Sequence, residues 1–188
     1  MIQVKVITAS TRPTRKGPAI SHWMLELLKQ YDAIQVEHLD LKEINLPFLD
    51  EPHHPRLRKY TKEHTIQWSK TIDSADAFIF VTPEYNYGFP ATLKNALDYL
   101  FEEWAYKPVG IVSYGGLSAG TRSAQMLKQV ITTLRMMPLT ESVAIPFFTK
   151  HINEDEKFVS DEALDKSANT MIAELIKWTN ALKTLRGK

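Results

Sequence analysis

The sequence contains no cysteine among its 188 residues. Disulfides, thiolate zinc sites, iron–sulfur clusters and cysteine nucleophiles are therefore all excluded. Any redox chemistry must accordingly use a bound cofactor as the electron carrier.

The sequence also lacks an excess of charge of either sign and any long apolar run. Its formal net charge is +1, so neither nucleic acid nor a membrane surface is an expected partner. A membrane helix needs about 20 apolar residues, and no run approaches that length. The N-terminus has a strand pattern and no signal-peptide pattern, which predicts a cytoplasmic protein.

The composition that remains is typical of a soluble globular protein, with 44% hydrophobic and 24% charged residues. The length suits one domain with a substantial core. No internal repeat, low-complexity tract or linker divides the chain. We therefore predict a single domain over residues 1–188.

Strand and helix patterns alternate about five times along the chain. Short apolar runs predict strands at 2–7, 35–39, 77–81, 109–112 and 143–148. Apolar residues at helical spacing predict helices at 20–31, 61–74, 93–104, 124–134 and 164–185. The proline-rich segment 41–58 has no clear period and predicts a surface excursion. This alternation predicts an α/β fold, a parallel sheet with helices on both faces.

The loops after the first, third and fourth predicted strands are the richest in polar residues and glycine. In a parallel sheet the carboxyl ends of the strands share one edge, and open α/β sheets bind ligands there. We therefore expect these three loops to converge on a binding site.

The first loop combines hydroxyls and cations just before a helix: Ser10, Thr11, Arg12, Thr14, Arg15 and Lys16. A helix N-terminus presents unpaired N–H groups and attracts anions. Neither the Walker pattern nor the three-glycine dinucleotide pattern is present. A single phosphate monoester therefore fits this loop better than a triphosphate or a pyrophosphate. A solvated basic turn with an ordinary helix cap is the alternative interpretation.

The second loop offers flat and polar groups suited to a planar heterocycle: Glu84, Tyr85, Asn86, Tyr87 and Gly88. Glu84 has two possible roles, as a catalytic acid or as a carboxylate that orients its neighbours, and the second is commoner. The third loop contains Gly115, Gly116 and Gly120. Glycines let backbone N–H groups approach a ligand, although a plain tight turn explains them equally well.

Three motifs together resemble the NADPH-dependent FMN reductase family of the flavodoxin-like fold. They are STRPTRKGP at 10–18, TPEYNYGFPATLKNALDYL at 82–100 and SYGGLSAGTRS at 113–123. The resemblance implies a doubly wound, five-stranded parallel sheet with strand order 2-1-3-4-5. It also implies non-covalently bound FMN and either NADPH or NADH as the hydride donor. Many members have glycine where this chain has Ala9.

The resemblance implies roles for particular residues. The FMN phosphate would lie at the first loop and the isoalloxazine between the second and third loops. The candidate cofactor-binding residues are Ser10, Thr11, Arg12, Arg15, Gly17, Pro18, Ala19, Pro83, Glu84, Tyr85, Asn86, Tyr87, Tyr114, Gly115, Gly116 and Ser118. No catalytic side chain and no metal ligand is expected.

The implied reaction is hydride transfer from NAD(P)H to FMN, followed by two-electron reduction of a small acceptor. A quinone, an azo compound, free flavin or a metal ion would serve as acceptor. The resemblance also implies a homodimer or homotetramer that associates through the helix at 91–104.

Two other functions compete with the reductase. A flavodoxin-type electron carrier would bind FMN without reacting with NAD(P)H, but such carriers are usually strongly acidic, unlike this nearly neutral chain. A regulator that uses the fold without FMN would have no need for Ser10, Arg12 and Arg15 together.

Overall fold

The computed structural model describes residues 1–186 and contains one six-stranded parallel sheet. The strands are β1 (Ile2–Thr8), β2 (Ile34–Asp40), β3 (Ala77–Pro83), β4 (Pro108–Tyr114), β5 (Met137–Pro138) and β6 (Val143–Ile145). The helices are α1 (Gly17–Leu28), α2 (Leu41–Ile44), α3 (Glu63–Asp73), α4 (Ala91–Asp98), α5 (Thr121–Thr133) and α6 (Glu162–Lys183). Short 3-10 helices lie at Pro55–Leu57, Glu102–Trp104 and Phe148–His151. No helix among residues 1–186 is long and apolar enough to cross a membrane.

The strands follow the order β2-β1-β3-β4, with β5 and β6 both paired to β4. The fifth position of the sheet is thus shared by two short strands, and the predicted order 2-1-3-4-5 is confirmed. The prediction of one strand over 143–148 is wrong in its bounds. Two residues of β5 are too few to show an alternating pattern, and Pro138 has no N–H for a strand ladder.

Buried strands at the centre of the sheet separate two apolar layers. Every residue of β3 is buried, and successive side chains alternate between the layers. Phe78 and Phe80 pack with α3, α4 and α5 on one face. Ile79 and Val81 pack with α1 and α6 on the other face. The sheet is therefore doubly wound, as predicted.

The helix predicted at 91–104 is shorter than its apolar pattern implied. Helix α4 ends at Asp98, and Phe101 has backbone angles of φ −137° and ψ −66°, which break the helix. Trp104 is nevertheless fully buried, 5.0 Å from the Phe78 ring centre, and its indole N–H donates to the Leu97 carbonyl. Trp104 thus falls at helical spacing in the sequence because it is buried in the core, although it lies in a 3-10 turn after α4.

The segment 41–62 contains only α2 and one 3-10 turn, and side chains of α4 and its C-terminal end fasten it to the protein. The Asn95 side chain donates to the Pro47 carbonyl (2.7 Å) and accepts from the Leu49 N–H (3.0 Å). The Tyr99 hydroxyl donates to the same Pro47 carbonyl (3.0 Å). These bonds hold an aperiodic loop in a defined position.

A buried carboxylate fastens the second half of the same segment. Glu103 is 0% exposed and accepts from the hydroxyls of Tyr60 (2.9 Å) and Ser69 (2.7 Å). Arg58 forms an ion pair with it at 3.2 Å. Such a charge is tolerated inside a protein only because partners satisfy it.

We expect Glu103→Leu to lower the free energy of unfolding by about 3 kcal/mol, because the hydroxyls of Tyr60 and Ser69 would lose their acceptor inside the protein and Arg58 would lose its ion pair. The neighbouring Glu102→Leu is the matched control, and its half-exposed side chain predicts a change of about 0.5 kcal/mol or less. Urea unfolding measures both. Equal effects of the two substitutions would contradict the anchoring role of Glu103.

Candidate functional site

The carboxyl ends of β1, β3, β4 and β6 open onto a cleft of about 310 Å³. The three loops predicted to converge do meet there, and the loop after β6 joins them. The lining residues are Arg12, Thr14, Arg15, Lys16, Pro83, Glu84, Tyr85, Tyr114, Gly115, Gly116, Phe148 and Thr149.

A three-residue contact joins the first loop to the end of β4. The Tyr114 hydroxyl donates to Ser10 Oγ at 3.1 Å, and both side chains are buried. Gly17 lies against this pair, so closely that an added Cβ would overlap Ser10 Oγ and lie 2.8 Å from the Tyr114 hydroxyl. Burial raises the pKa of Tyr114, so its hydroxyl keeps its proton and donates. A side chain at position 17 would therefore force Ser10 or Tyr114 to move, and glycine avoids that displacement.

The first turn of α1 has no side-chain cap. Lys16 occupies the N-cap position and makes no capping hydrogen bond, and Pro18 follows in the first turn. The remaining N–H groups of this turn are therefore available to an anion. Such a turn beside the basic loop residues that line the cleft fits a phosphate group, and the Ser10 hydroxyl packed against it is fully buried.

The cations of the first loop have different surroundings. Arg12 is exposed, and its guanidinium carbon lies 6.0 Å from the centre of the Tyr85 ring. Arg15 is buried in an ion pair with Asp40, and Lys16 pairs with Glu156. Arg12 is consequently the loop arginine without an ion pair to a carboxylate in the described chain.

The second loop is a tight two-residue turn. Tyr85 and Gly88 exchange two backbone hydrogen bonds of 2.9 Å, and the residues between them have positive φ, 51° for Asn86 and 72° for Tyr87. This geometry is a type I′ turn, which Asn adopts readily and Tyr does not. The Arg122 guanidinium covers the Tyr87 ring at 3.9 Å. The tertiary contact therefore supports a conformation that tyrosine alone disfavours.

Glu84 links the second loop to the third. It accepts hydrogen bonds from Arg122 Nε (2.6 Å) and Ser118 Oγ (3.1 Å). Burial opposes ionisation of the carboxyl, but the hydrogen bonds from these two side chains outweigh it and lower the pKa of Glu84. An ionised, fully engaged carboxylate is a poor proton donor near neutral pH, so the geometry supports the orienting role.

The third loop is packed against the loop that follows β6. The N–H groups of Phe147 and Phe148 donate to the carbonyls of Gly116 (3.1 Å) and Gly115 (3.3 Å). The Phe148 and Tyr114 rings lie 5.1 Å apart. An added Cβ on Gly116 would meet nothing within 4 Å, so this residue borders open space.

Sequence reasoning did not include Phe148 and Thr149 in the site. Both lie within four residues of the end of β6, and the carboxyl end of a parallel strand in the fifth position lies at the same edge as the others. The strand order alone could have identified them. The prediction that extended the last strand to residue 148 concealed them.

Some predicted residues lie outside the cleft. Thr11 borders a separate cavity of about 240 Å³ beside α2 and α4. Pro18 and Ala19 line an apolar groove on the outer side of α1. Asn86 and Tyr87 are exposed at the tip of their turn. Residues 1–186 hold no cluster of three or more His, Asp or Glu side chains arranged for a metal ion.

Comparison with known proteins gives a match to the family model of NADPH-dependent FMN reductases over residues 2–150. The chain belongs to this family. The family places it among the oxidoreductases and gives FMN and NAD(P)H as its cofactors, which confirms what the sequence resemblance implied.

Individual relatives are consistent with this family assignment. An NAD(P)H-dependent FMN reductase of Schizosaccharomyces pombe is 41% identical over 172 residues, which cover 82% of this chain and 86% of that protein. Another, from a Nectria species, is 34% identical over 191 residues, which cover 98% and 94%. The solved structure of FerB, a flavoenzyme NAD(P)H:(acceptor) oxidoreductase from Paracoccus denitrificans, has a TM-score of 0.76 at 18% identity, covering 96% of this chain and 98% of that one. That likeness and the strand order show the flavodoxin-like fold.

We expect Gly17→Ala to lower the free energy of unfolding by about 1–3 kcal/mol, because the new methyl group overlaps the Ser10–Tyr114 pair. Gly116→Ala is the matched control, since its methyl group enters open space. Denaturant unfolding of the flavin-free protein compares the two. Equal stability of the variants would refute the close contact at Gly17.

The depressed pKa of Glu84 predicts a pH-dependent contribution to stability. The contribution is complete above pH 4.5, the usual carboxyl value, and is lost as the pH falls through the lowered pKa. The stability advantage of wild type over Glu84→Gln should therefore shrink below pH 4.5, in urea unfolding measured at several pH values. Glu154→Gln, at an exposed position, serves as control. A pH-independent difference for Glu84→Gln would contradict the ionised bridge.

Proposed function

We propose that the protein is an NAD(P)H-dependent FMN reductase that accepts hydride from NADPH or NADH and delivers two electrons to a small acceptor. Its acceptor is a quinone, an azo compound, free flavin or a metal ion. One observation carries the proposal. The loops after β1, β3, β4 and β6 converge on a cleft that combines an uncapped helix N-terminus with aromatic and glycine walls.

The phosphate of FMN would bind at the first loop. Ser10 Oγ, the guanidinium of Arg12 and the N–H groups in the first turn of α1 would hold it. A phosphate there meets both a partial positive charge of the helix and a full charge of the arginine. The contact of Gly17 with Ser10 and Tyr114 supports this assignment, because it fixes the position of the hydroxyl.

The isoalloxazine would lie between the second and third loops. Pro83, Tyr85 and Tyr114 supply apolar and aromatic surface on the cleft wall, and Gly115 and Gly116 permit backbone approach. Asn86 and Tyr87 would meet the ring only at its exposed rim. Glu84 and Ser118 would act by holding the two loops in register.

When FMN is bound, it supplies the two-electron chemistry, and the protein supplies binding, orientation and exclusion of water. No side chain needs to transfer a proton for the first hydride step. The engaged carboxylate of Glu84 and the protonated hydroxyl of Tyr114 are consistent with this division of roles.

Self-association into a dimer or tetramer is also part of the proposal, through α4 and the segment fastened to it. Phe48 is 85% exposed beside the bonds that join Pro47 and Leu49 to Asn95. An exposed aromatic on a firmly held loop is typical of an interface.

The decisive experiment is an absorption spectrum of the purified protein after FMN addition and desalting, followed by anaerobic NADPH or NADH. We expect retained flavin bands that bleach with either nucleotide and return when a quinone is added. Retained flavin that does not bleach would favour the flavodoxin-type carrier. Absence of retained flavin, together with a failed FMN titration, would refute the proposal.

A further inference from the structure

The first loop contains two arginines three residues apart, and the structure gives them different tasks. Arg12 is exposed at the cleft and lies beside the Tyr85 ring. The Arg15 side chain is only 8% exposed. Sequence alone makes both arginines equivalent candidates for binding the FMN phosphate, and their environments separate them.

The Arg15 guanidinium is engaged by the protein itself. Its Nη1 donates to the Ser10 carbonyl at 2.6 Å, and its Nη2 donates to Asp40 Oδ2 at 2.7 Å. A second bond from Nη1 reaches the other oxygen of Asp40, so the guanidinium and the carboxylate form a bidentate pair, called the fork below. Only arginine has the planar donor arrangement for this geometry.

Asp40 in turn belongs to the end of the neighbouring strand. It stands opposite Thr8 in the β1–β2 register, and its carboxylate accepts from the Lys42 N–H at 3.0 Å as the cap of α2. Burial opposes ionisation, but the hydrogen bonds from Arg15 and Lys42 outweigh it and lower the pKa of Asp40. Arg15 therefore ties the first loop to a fixed anion at the end of β2.

This ion pair also affects the charge near the phosphate site. An unpaired Asp40 carboxylate behind the loop would repel a phosphate, and Arg15 compensates that charge. A second bond braces the loop, in which the Arg15 N–H donates to the Arg12 carbonyl at 3.2 Å. The carbonyl of Ser10 and the backbone of Arg12 are thus both held from position 15.

We infer that Arg15 is a positioning residue, which holds the phosphate loop in its binding shape through Ser10 and Asp40, whereas Arg12 contacts the phosphate. The inference rests on the FMN site proposed above. It identifies Asp40, a residue with no obvious sequence signature, as part of the support for cofactor binding.

Lysine substitutions at the two positions separate contact from positioning. Lysine binds phosphate as a point charge but cannot form the fork to a carboxylate. Arg12→Lys should keep the FMN dissociation constant within about threefold of wild type, whereas Arg12→Ala should raise it about tenfold or more. Arg15→Lys should raise it about tenfold, because the fork is lost, and Arg15→Ala about fiftyfold, because the charge that compensates Asp40 is lost as well.

Riboflavin, which lacks the phosphate, provides the second ligand for every variant. Flavin fluorescence titrations should give riboflavin dissociation constants within about twofold of wild type, since only the phosphate loop is altered. A general loss of structure would weaken both flavins together. The ratio of the two constants therefore reports on the loop itself.

Combining each arginine substitution with Asp40→Asn tests whether Arg15 acts through Asp40. Asparagine can still cap α2 but leaves no charge to compensate. Arg15→Ala/Asp40→Asn should bind FMN about fivefold more tightly than Arg15→Ala alone, because the repelling carboxylate is gone. The control Arg12→Ala/Asp40→Asn should show additive effects. Urea unfolding of the flavin-free variants should show a loss of stability for Arg15→Ala and none for Arg12→Ala.

Several results would overturn the inference. FMN binding by Arg15→Lys equal to that of wild type would identify position 15 as a phosphate contact. Additive effects of Arg15→Ala and Asp40→Asn on the FMN dissociation constant would show that Arg15 acts independently of Asp40. They would therefore also identify position 15 as a phosphate contact. Equal dissociation constants of wild type for riboflavin and FMN would show that the phosphate contributes nothing to binding, and would refute the phosphate site. Failure of wild type to bind any flavin would instead overturn the proposed function, before any variant is compared.

Discussion

The site depends on the contact among Ser10, Gly17 and Tyr114, which joins the ends of β1 and β4 across the intervening β3. The hydrogen bond between the Ser10 and Tyr114 hydroxyls, and the absence of a side chain at Gly17, let the first turn of α1 pack directly against the sheet. The helix N-terminus, and with it the local positive potential, is thereby set at the carboxyl edge where the other loops end. Every other feature of the cleft is arranged around that fixed point.

Most charged groups near the cleft maintain its shape. Arg15 is bound to Asp40, Lys16 to Glu156 and Arg122 to Glu84, so ion pairs tie the first loop to the end of β2 and to residue 156, and the second loop to α5. Rigid loops suit a flavin enzyme, because the cofactor brings the reactivity and the protein must hold it in one orientation. A net charge of +1 is consistent with this use of charge, since the pairs largely cancel.

The central part of the fold could be read from the sequence because its signals are local. Continuous apolar runs marked β3 and β4, which are buried on both faces. The edge of the sheet was harder, since β5 and β6 are two and three residues long and show no period. The end of α4 was also hidden, because Trp104 is buried by contact with Phe78 rather than by continuation of the helix.

The sequence by itself determined the alternation of strands and helices, the three polar loops and their common edge, because periodicity and parallel topology are properties of chain order. It also determined the family, through motifs within those loops. Only the tertiary structure decided which arginine is engaged, which partner Glu84 takes, and that Phe148 enters the cleft. Those choices depend on distances between residues far apart in the chain, such as Arg15 and Asp40 or Glu84 and Arg122, and no local pattern encodes them.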